Sequence, residues 1–214
     1  MRYPVGMSVD PDPPAGLRER KRLVAMRRIQ EVALDLFDDQ GYAAVTIEQI
    51  AQASDVSPSS VYRYFGTKEQ IVLWDEFDPI LLERMARELP GTLPLEAARR
   101  VLDAMVDHLA AGGEEHLQRR LRHAMSDPAL ESAAAGHAYA LSETLGALLA
   151  SGVGRPPEDL ELQVFSHALV GGLLGGLHHW HGSGFARPLR EVFRDCFVIF
   201  EEGLDVVAVP GPGA

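Results

Sequence analysis

The stretch Asp55 to Ile71, DVSPSSVYRYFGTKEQI, sets Pro58 among serines and then crowds Tyr62, Arg63, Tyr64 and Phe65 ahead of a glycine. A buried strand would not carry Pro58 or the serine run. A very short helix that shows its first turn to a partner would. Other clusters suggest different chemistry. In HHWH, His178 and His181 stand at i and i+3, with His179 between them, and two imidazoles on one helical face could hold zinc or nickel. No carboxylate or cysteine lies at a matching spacing in that helix, so no metal or other cofactor is expected. Ser183 in HGSGF lacks the Gly-x-Ser-x-Gly elbow and the strands that would present it. Cys196, set among Phe193, Phe197 and Val198, reads as an inert core thiol. Catalysis has little support, and the chain is not expected to be an enzyme. The alternative reading is a small-molecule carrier or enzyme on the same helical scaffold.

Composition bounds the rest. The 214 residues, 46% of them hydrophobic, suffice to bury a core. One cysteine excludes an internal disulfide and points to a reducing, cytoplasmic compartment. The longest apolar run, Leu162 to Leu177, is interrupted by Gln163, Ser166 and His167, so no membrane partner is expected. The net charge of -11 is unevenly spread: residues 1–70 carry nine Lys/Arg and ten Asp/Glu, so nearly all the acidity lies beyond them. LRERKRLVAMRRIQ concentrates Arg18, Arg20, Lys21, Arg22, Arg27 and Arg28 against Glu19.

The elements that must position the opening stretch are helices. Leu23, Met26, Ile29, Val32, Ala33, Leu36 and Phe37 recur at three and four, which predicts a helix ending near Gly41. Thr46 and Gln49 have capping-box spacing for a short second helix. Ser57 and Pro58 suit the N-cap and first position of a third, which Gly66 ends, and Thr67 starts another. The tight turn between the second and third predicts a helix-turn-helix. Beyond Leu73 the chain reads helical, with breaks at 90–94, 111–115, 126–128, 151–159 and 182–188 and a break or kink at Asp78-Pro79 inside the fourth helix. An all-α fold of about nine helices results, with a disordered leader over 1–16, a helix-turn-helix domain over 17–70, a second helical domain over 71–207 and a tail over 208–214. Gly171, Gly172, Gly175 and Gly176 cost about 1 kcal/mol each in a helix relative to alanine, which predicts close packing against another backbone.

GYAAVTIEQIAQASDVSPSSVYRYFGTKEQIVL resembles the DNA-binding segment of the tetracycline-repressor (TetR) family of bacterial regulators, from about Leu17 to Leu73. It departs from the family pattern at Asp55, where glycine is usual, so the turn must accommodate a left-handed aspartate. The resemblance implies a regulator, usually a repressor, that binds a double-stranded DNA operator as a homodimer and is released by a small-molecule effector, with 17–70 as its DNA-binding domain and 71–207 as its ligand-binding and dimerisation domain. It places Ser59, Ser60 and Arg63 in the major groove behind the Ser57 cap, with Thr46, Tyr62, Tyr64 and Lys68 on phosphates. Hydroxyls and helix N-termini suit phosphate oxygens, and arginine suits guanine edges. It also implies a dimer bundle of the last two helices, here Gly171, Gly172, Gly175, Gly176, Phe193 and Phe197, with Trp180 in the interface or core. Residues 117–169 are similar to C-terminal domains of the acyl-coenzyme-A-like ligand-binding type. That implies an apolar pocket with Trp74, Phe77, Leu81, Met105, Leu109, Leu121, Met125, Tyr139 and Phe165 as candidates, and Arg119, Arg120 and Arg122 as partners for phosphates at its mouth.

Overall fold

The computed structural model describes residues 16–110 and 113–203. The expected leader, except Gly16, and the expected tail lie outside them. Among the described residues there are ten α-helices and no strand: α1 Leu17–Gln40, α2 Ile47–Ala53, α3 Pro58–Phe65, α4 Lys68–Leu73, α5 Asp78–Glu88, α6 Pro94–Ala110, α7 Glu114–Ala124, α8 Pro128–Val153, α9 Leu160–Gly182 and α10 Leu189–Glu202, with a 3₁₀ turn at Tyr42–Ala44.

Local chemistry sets the first boundaries. The Thr46 hydroxyl accepts from Gln49 N–H at 3.2 Å while the Gln49 side chain accepts from Thr46 N–H at 2.8 Å, a complete capping box. Ser57 caps α3 with Pro58 in the first turn, and Asp55 takes the left-handed conformation at φ 59° that the turn demands. The expectation of nine helices falls one short because the break before Pro79 is complete. Trp74 ends α4 with an extended ψ, and Asp75 accepts the Phe77 N–H at 2.9 Å, so Phe77 is the N-cap of α5. Asp78, in the first turn of α5, pairs with His137 on α8 at 2.9 Å.

One core joins α1 to α4 through Ile29, Leu34, Ile50, Val61 and Ile71, each fully buried. Ala124 at the end of α7 and Leu130 at the start of α8 belong to that same core. The two domains therefore share apolar packing, and a rotation of one against the other must disturb it. Behind it, α5, α6, α8, α9 and α10 pack around Leu149, Leu169 and Phe197, and α6, α7, α9 and α10 around Trp180, Val106 and Phe193.

The dimer candidates divide here, and Trp180 takes the core place that was its alternative. Trp180 is fully buried, donates its indole N–H to Arg187 O at 2.7 Å and meets Phe185 edge-on at 4.8 Å between ring centroids. Phe193 and Phe197 are likewise buried within one chain. The four glycines divide between two faces. Gly172 and Gly176 meet Phe200 and Cys196 of α10, whereas a Cβ on Gly171 or Gly175 would meet nothing within 4 Å. By length and composition α9 could cross a membrane; in this fold it packs along α8 and α10.

Candidate functional site

Helix α3 buries Val61 and Phe65 and leaves Ser57, Ser59, Tyr62 and Arg63 exposed. Its N-terminus is a hydroxyl cluster. Ser57 Oγ lies 2.9 Å from both Ser59 Oγ and Ser60 Oγ and accepts the Ser60 N–H at 3.2 Å. As a cap acceptor each of Thr46 and Ser57 still has its own O–H to donate. Arg63 reaches back to Ser60 Oγ at 3.3 Å and to Tyr64 Oη at 3.4 Å, with its guanidinium 5.0 Å from the Tyr64 ring. These are long bonds on an exposed side chain, readily exchanged for a stronger acceptor.

Lys68, expected on a phosphate, is partly engaged within the chain. Its ammonium donates to Tyr42 O at 2.8 Å and Val45 O at 3.0 Å and sits 4.0 Å from the Tyr42 ring. Two of its three N–H groups thus hold the 3₁₀ turn to the start of α4, and one remains for any other partner. The Tyr42 hydroxyl donates to Glu69 at 2.7 Å. Burial and that carboxylate push the phenol far above its ordinary pKa, while the hydrogen bond holds Glu69 low.

The second region is a cavity of about 1140 Å³ bounded by α1, α4 to α10 and the segment 74–77. Trp74, Phe77, Leu81, Met105, Leu109, Leu121 and Met125 line it as expected; Tyr139 and Phe165 do not. Tyr139 is 61% exposed against His167. Phe165 lines a separate groove of about 580 Å³ with Gly171, Cys196, Ile199 and Phe200. The arginine trio is not a phosphate clamp either. Arg119 pairs with Asp35 and Asp38 of α1 at 2.7 Å each. Arg120 donates to Val72 O and Leu73 O at 3.0 Å and to Asp75 at 2.9 Å. Arg122 is exposed beside Phe185. Spacing on one helix put the three together, and their directions from α7 separate them.

Sequence reasoning missed the polar floor of this cavity. Gln30 of α1 is 3% exposed and donates to Ile71 O at 2.7 Å and Trp74 O at 2.9 Å. Those two bonds fix its amide, so Gln30 Oε1 accepts from His116 Nε2 at 2.9 Å. The other ring nitrogen of His116 faces Glu31 at 3.0 Å. Both nitrogens can donate only in the imidazolium, which burial opposes: it holds the His116 pKa below the ordinary imidazole value. The signal in the sequence was a glutamine four residues from Met26 and from Leu34, on the buried stripe of α1.

His137 behaves oppositely, because hydrogen bonding to Asp78 raises its pKa. A raised folded pKa adds stability that is complete below the unfolded value of about 6.5 and fades as pH rises through the folded value. Glutamine can keep a neutral donor there without the charge. The melting temperature of His137→Gln should therefore fall below that of the parent at pH 6, with the gap closing toward pH 9. A gap independent of pH would mean that the charge contributes nothing.

The remaining histidines diverge. His178 caps the Leu174 carbonyl at 3.0 Å, and the His181 ring packs 5.7 Å from that of Phe185. No group of three or more His, Cys, Asp or Glu is placed to hold a metal among the described residues. Burial raises the Cys196 thiol pKa, against nucleophilic use.

Comparison with known proteins accounts for this arrangement. A family profile for tetR-type bacterial regulatory proteins matches residues 29–73, and one for the MftR C-terminal domain matches residues 92–205. The chain belongs to the TetR family. This TetR-family protein is a transcriptional regulator with an N-terminal helix-turn-helix domain and a C-terminal helical domain. It is 33% identical over 112 residues to the HTH-type transcriptional regulator TcmR of Streptomyces glaucescens, a match covering 51% of this chain and 50% of TcmR. It is 22% identical over 188 residues to the protein MftR of Mycobacterium tuberculosis, covering 87% of this chain and 94% of MftR. The Thermus thermophilus repressor FadR, solved with lauroyl-CoA, superposes with a TM-score of 0.51 at 25% identity, covering 88% of this TetR-family chain and all of FadR.

Proposed function

We propose that this protein is a cytoplasmic, homodimeric repressor that grips duplex operator DNA through α3 and lets go when an apolar small molecule enters the α4–α10 cavity. The observation that carries this reading is the shared wall of that cavity. Gln30 and Glu31 of the DNA-binding domain line it together with Arg120 and His116 of α7. A molecule that binds better when α7 is shifted must also loosen Gln30 from His116 and Arg120 from the last carbonyls of α4. Its differential affinity is the free energy available to move the two recognition helices out of register with successive major grooves.

Dimerisation is supported by the open side of α9 and α10. Val164, Ala168, Gly171 and Gly175 follow one exposed stripe of α9, and Val198 and Ile199 of α10 are 42% and 41% exposed beside it. Ser59, Ser60 and Arg63 take the base-reading role, and Thr46, Ser57, Tyr62 and Tyr64 the phosphates, with Lys68 contributing through its one remaining N–H. The acyl chain of the lauroyl-CoA bound by FadR has a counterpart in the apolar lining here. Its phosphates have none, since Arg119 and Arg120 are already engaged.

Selection from a random duplex library tests the reading. The purified protein should enrich a two-fold symmetric sequence whose half-sites lie about one helical turn or a multiple of it apart; no enrichment would refute it. Arg63→Ala should relax preference at one base of each half-site by about 1–3 kcal/mol. Equal weakening on all sequences would make Arg63 a phosphate contact.

A further inference from the structure

We infer that the cavity selects an apolar molecule with a cationic head, an amine or quaternary ammonium, over one with a carboxylate or phosphate; the inference rests on the cavity being the effector site. The charge of the lining decides the sign. Glu31, Asp75, Glu76, Asp78 and Glu131 border it, against two guanidinium groups, Arg27 and Arg120. Both guanidinium groups are already held. Arg120 is spent on two backbone carbonyls and Asp75, and Arg27 donates its Nε to Glu76 at 2.6 Å. An incoming anion would have to take them from existing carboxylates and carbonyls, leaving those unpaired. Counting His137 as a cation beside Asp78 still leaves the carboxylates in excess.

An incoming cation finds one carboxylate unengaged, the other four being paired with Arg119, Arg120, Arg27 and His137. Glu131, in the first turn of α8, is exposed at the rim and has no ionic partner among the described residues. Between the carboxylates stand the half-buried rings of Trp74 and Phe77, whose faces attract a cation and exclude water around it. Beyond them the lining turns aliphatic, with Leu102, Met105, Leu141, Leu173 and Leu177. A head near Trp74 and a tail among the leucines would satisfy both parts of the wall. The head then lies beside Gln30 and Asp75, where the two domains are tied.

A matched series of twelve-carbon probes tests the charge separately from the cavity. Dodecyltrimethylammonium, dodecanol and dodecanoate, each below its micellar concentration, are titrated into the full-length protein while tryptophan emission is followed. Trp74 lines the cavity and Trp180 does not, so Trp74→Phe should abolish the response. The ammonium should bind at least about tenfold tighter than dodecanoate, with the alcohol between them, and Glu131→Gln should narrow that ratio. If dodecanol binds and dodecanoate binds as tightly as the ammonium or more so, the charge inference is overturned while the cavity reading stands. If none of the three alters the emission, the cavity reading fails and takes the inference with it.

Discussion

Arg120→Ala should melt about 6–12 °C below the parent protein, because losing one partner of a largely buried ion pair costs roughly 3 kcal/mol and each kcal/mol shifts a domain of this size by about 2–4 °C. The Arg120 side chain is 13% exposed and its three hydrogen bonds tie α7 to the end of α4. Alanine leaves the carbonyls of Val72 and Leu73 and the carboxylate of Asp75 without that donor. Arg120→Lys should recover little, since a single ammonium cannot span acceptors set around a planar fork. Operator affinity should fall in both variants even at temperatures where they are folded, because α4 then lacks its tie to α7. Thermal melts and duplex binding read the two effects separately. Melting within about 2 °C of the parent would show that α4 holds its place without the tie to α7.

The glycines of α9 supply the second large effect and separate folding from assembly. A Cβ on Gly176 would stand 2.6 Å from Cys196 Sγ, only two bonds from the α10 backbone, so α9 and α10 must part to admit it. Gly176→Leu should lose stability at the upper end of the ~1–3 kcal/mol typical of overpacking, offset in part by about 1 kcal/mol of helix propensity. Gly175 faces open space in the single chain. Gly175→Leu should leave the melting of the monomer unchanged or slightly raised, yet abolish the dimer in sedimentation and most of the operator affinity with it. A Gly175→Leu protein that sediments as a dimer would move the interface off this face. Loss of folding by Gly175→Leu with Gly176→Leu intact would reverse the assignment of the two stripes.

The DNA-binding half was legible because its boundaries are written in local chemistry. Thr46 with Gln49, Ser57 with Pro58, and Asp55 at the turn each act within four residues, the range over which sequence spacing fixes geometry. The ligand cavity was half legible. Apolar candidates such as Phe77 and Met105 follow helical periodicity, but Tyr139 and Phe165 share that periodicity and face elsewhere. Periodicity identifies an apolar face without naming the helix it meets. Arg119, Arg120 and Arg122 failed for the same reason, since their partners at Asp35, Val72 and Asp75 lie more than forty residues away in the chain. The division of the glycines between α10 and open space likewise depends on where α10 lies. Gln30 offered the one long-range clue, a polar side chain on a buried stripe that must find partners somewhere.

That glutamine bears on how far the two halves are interchangeable. Because Gln30 and Glu31 form the floor of the cavity, and Ala124 and Leu130 complete the core of α1 to α4, a hybrid regulator made by cutting near residue 73 would exchange part of the ligand site along with the operator reader. A grafted reading head would carry its own residues into that floor and its own gap where Leu130 belongs. Retargeting this regulator to a new operator while keeping its chemical input therefore calls for substitutions confined to the exposed face of α3. In the reverse direction, if that cavity is the proposed effector site, a change at position 30 or 31 would alter both what the protein senses and how α1 meets α7 in a single step.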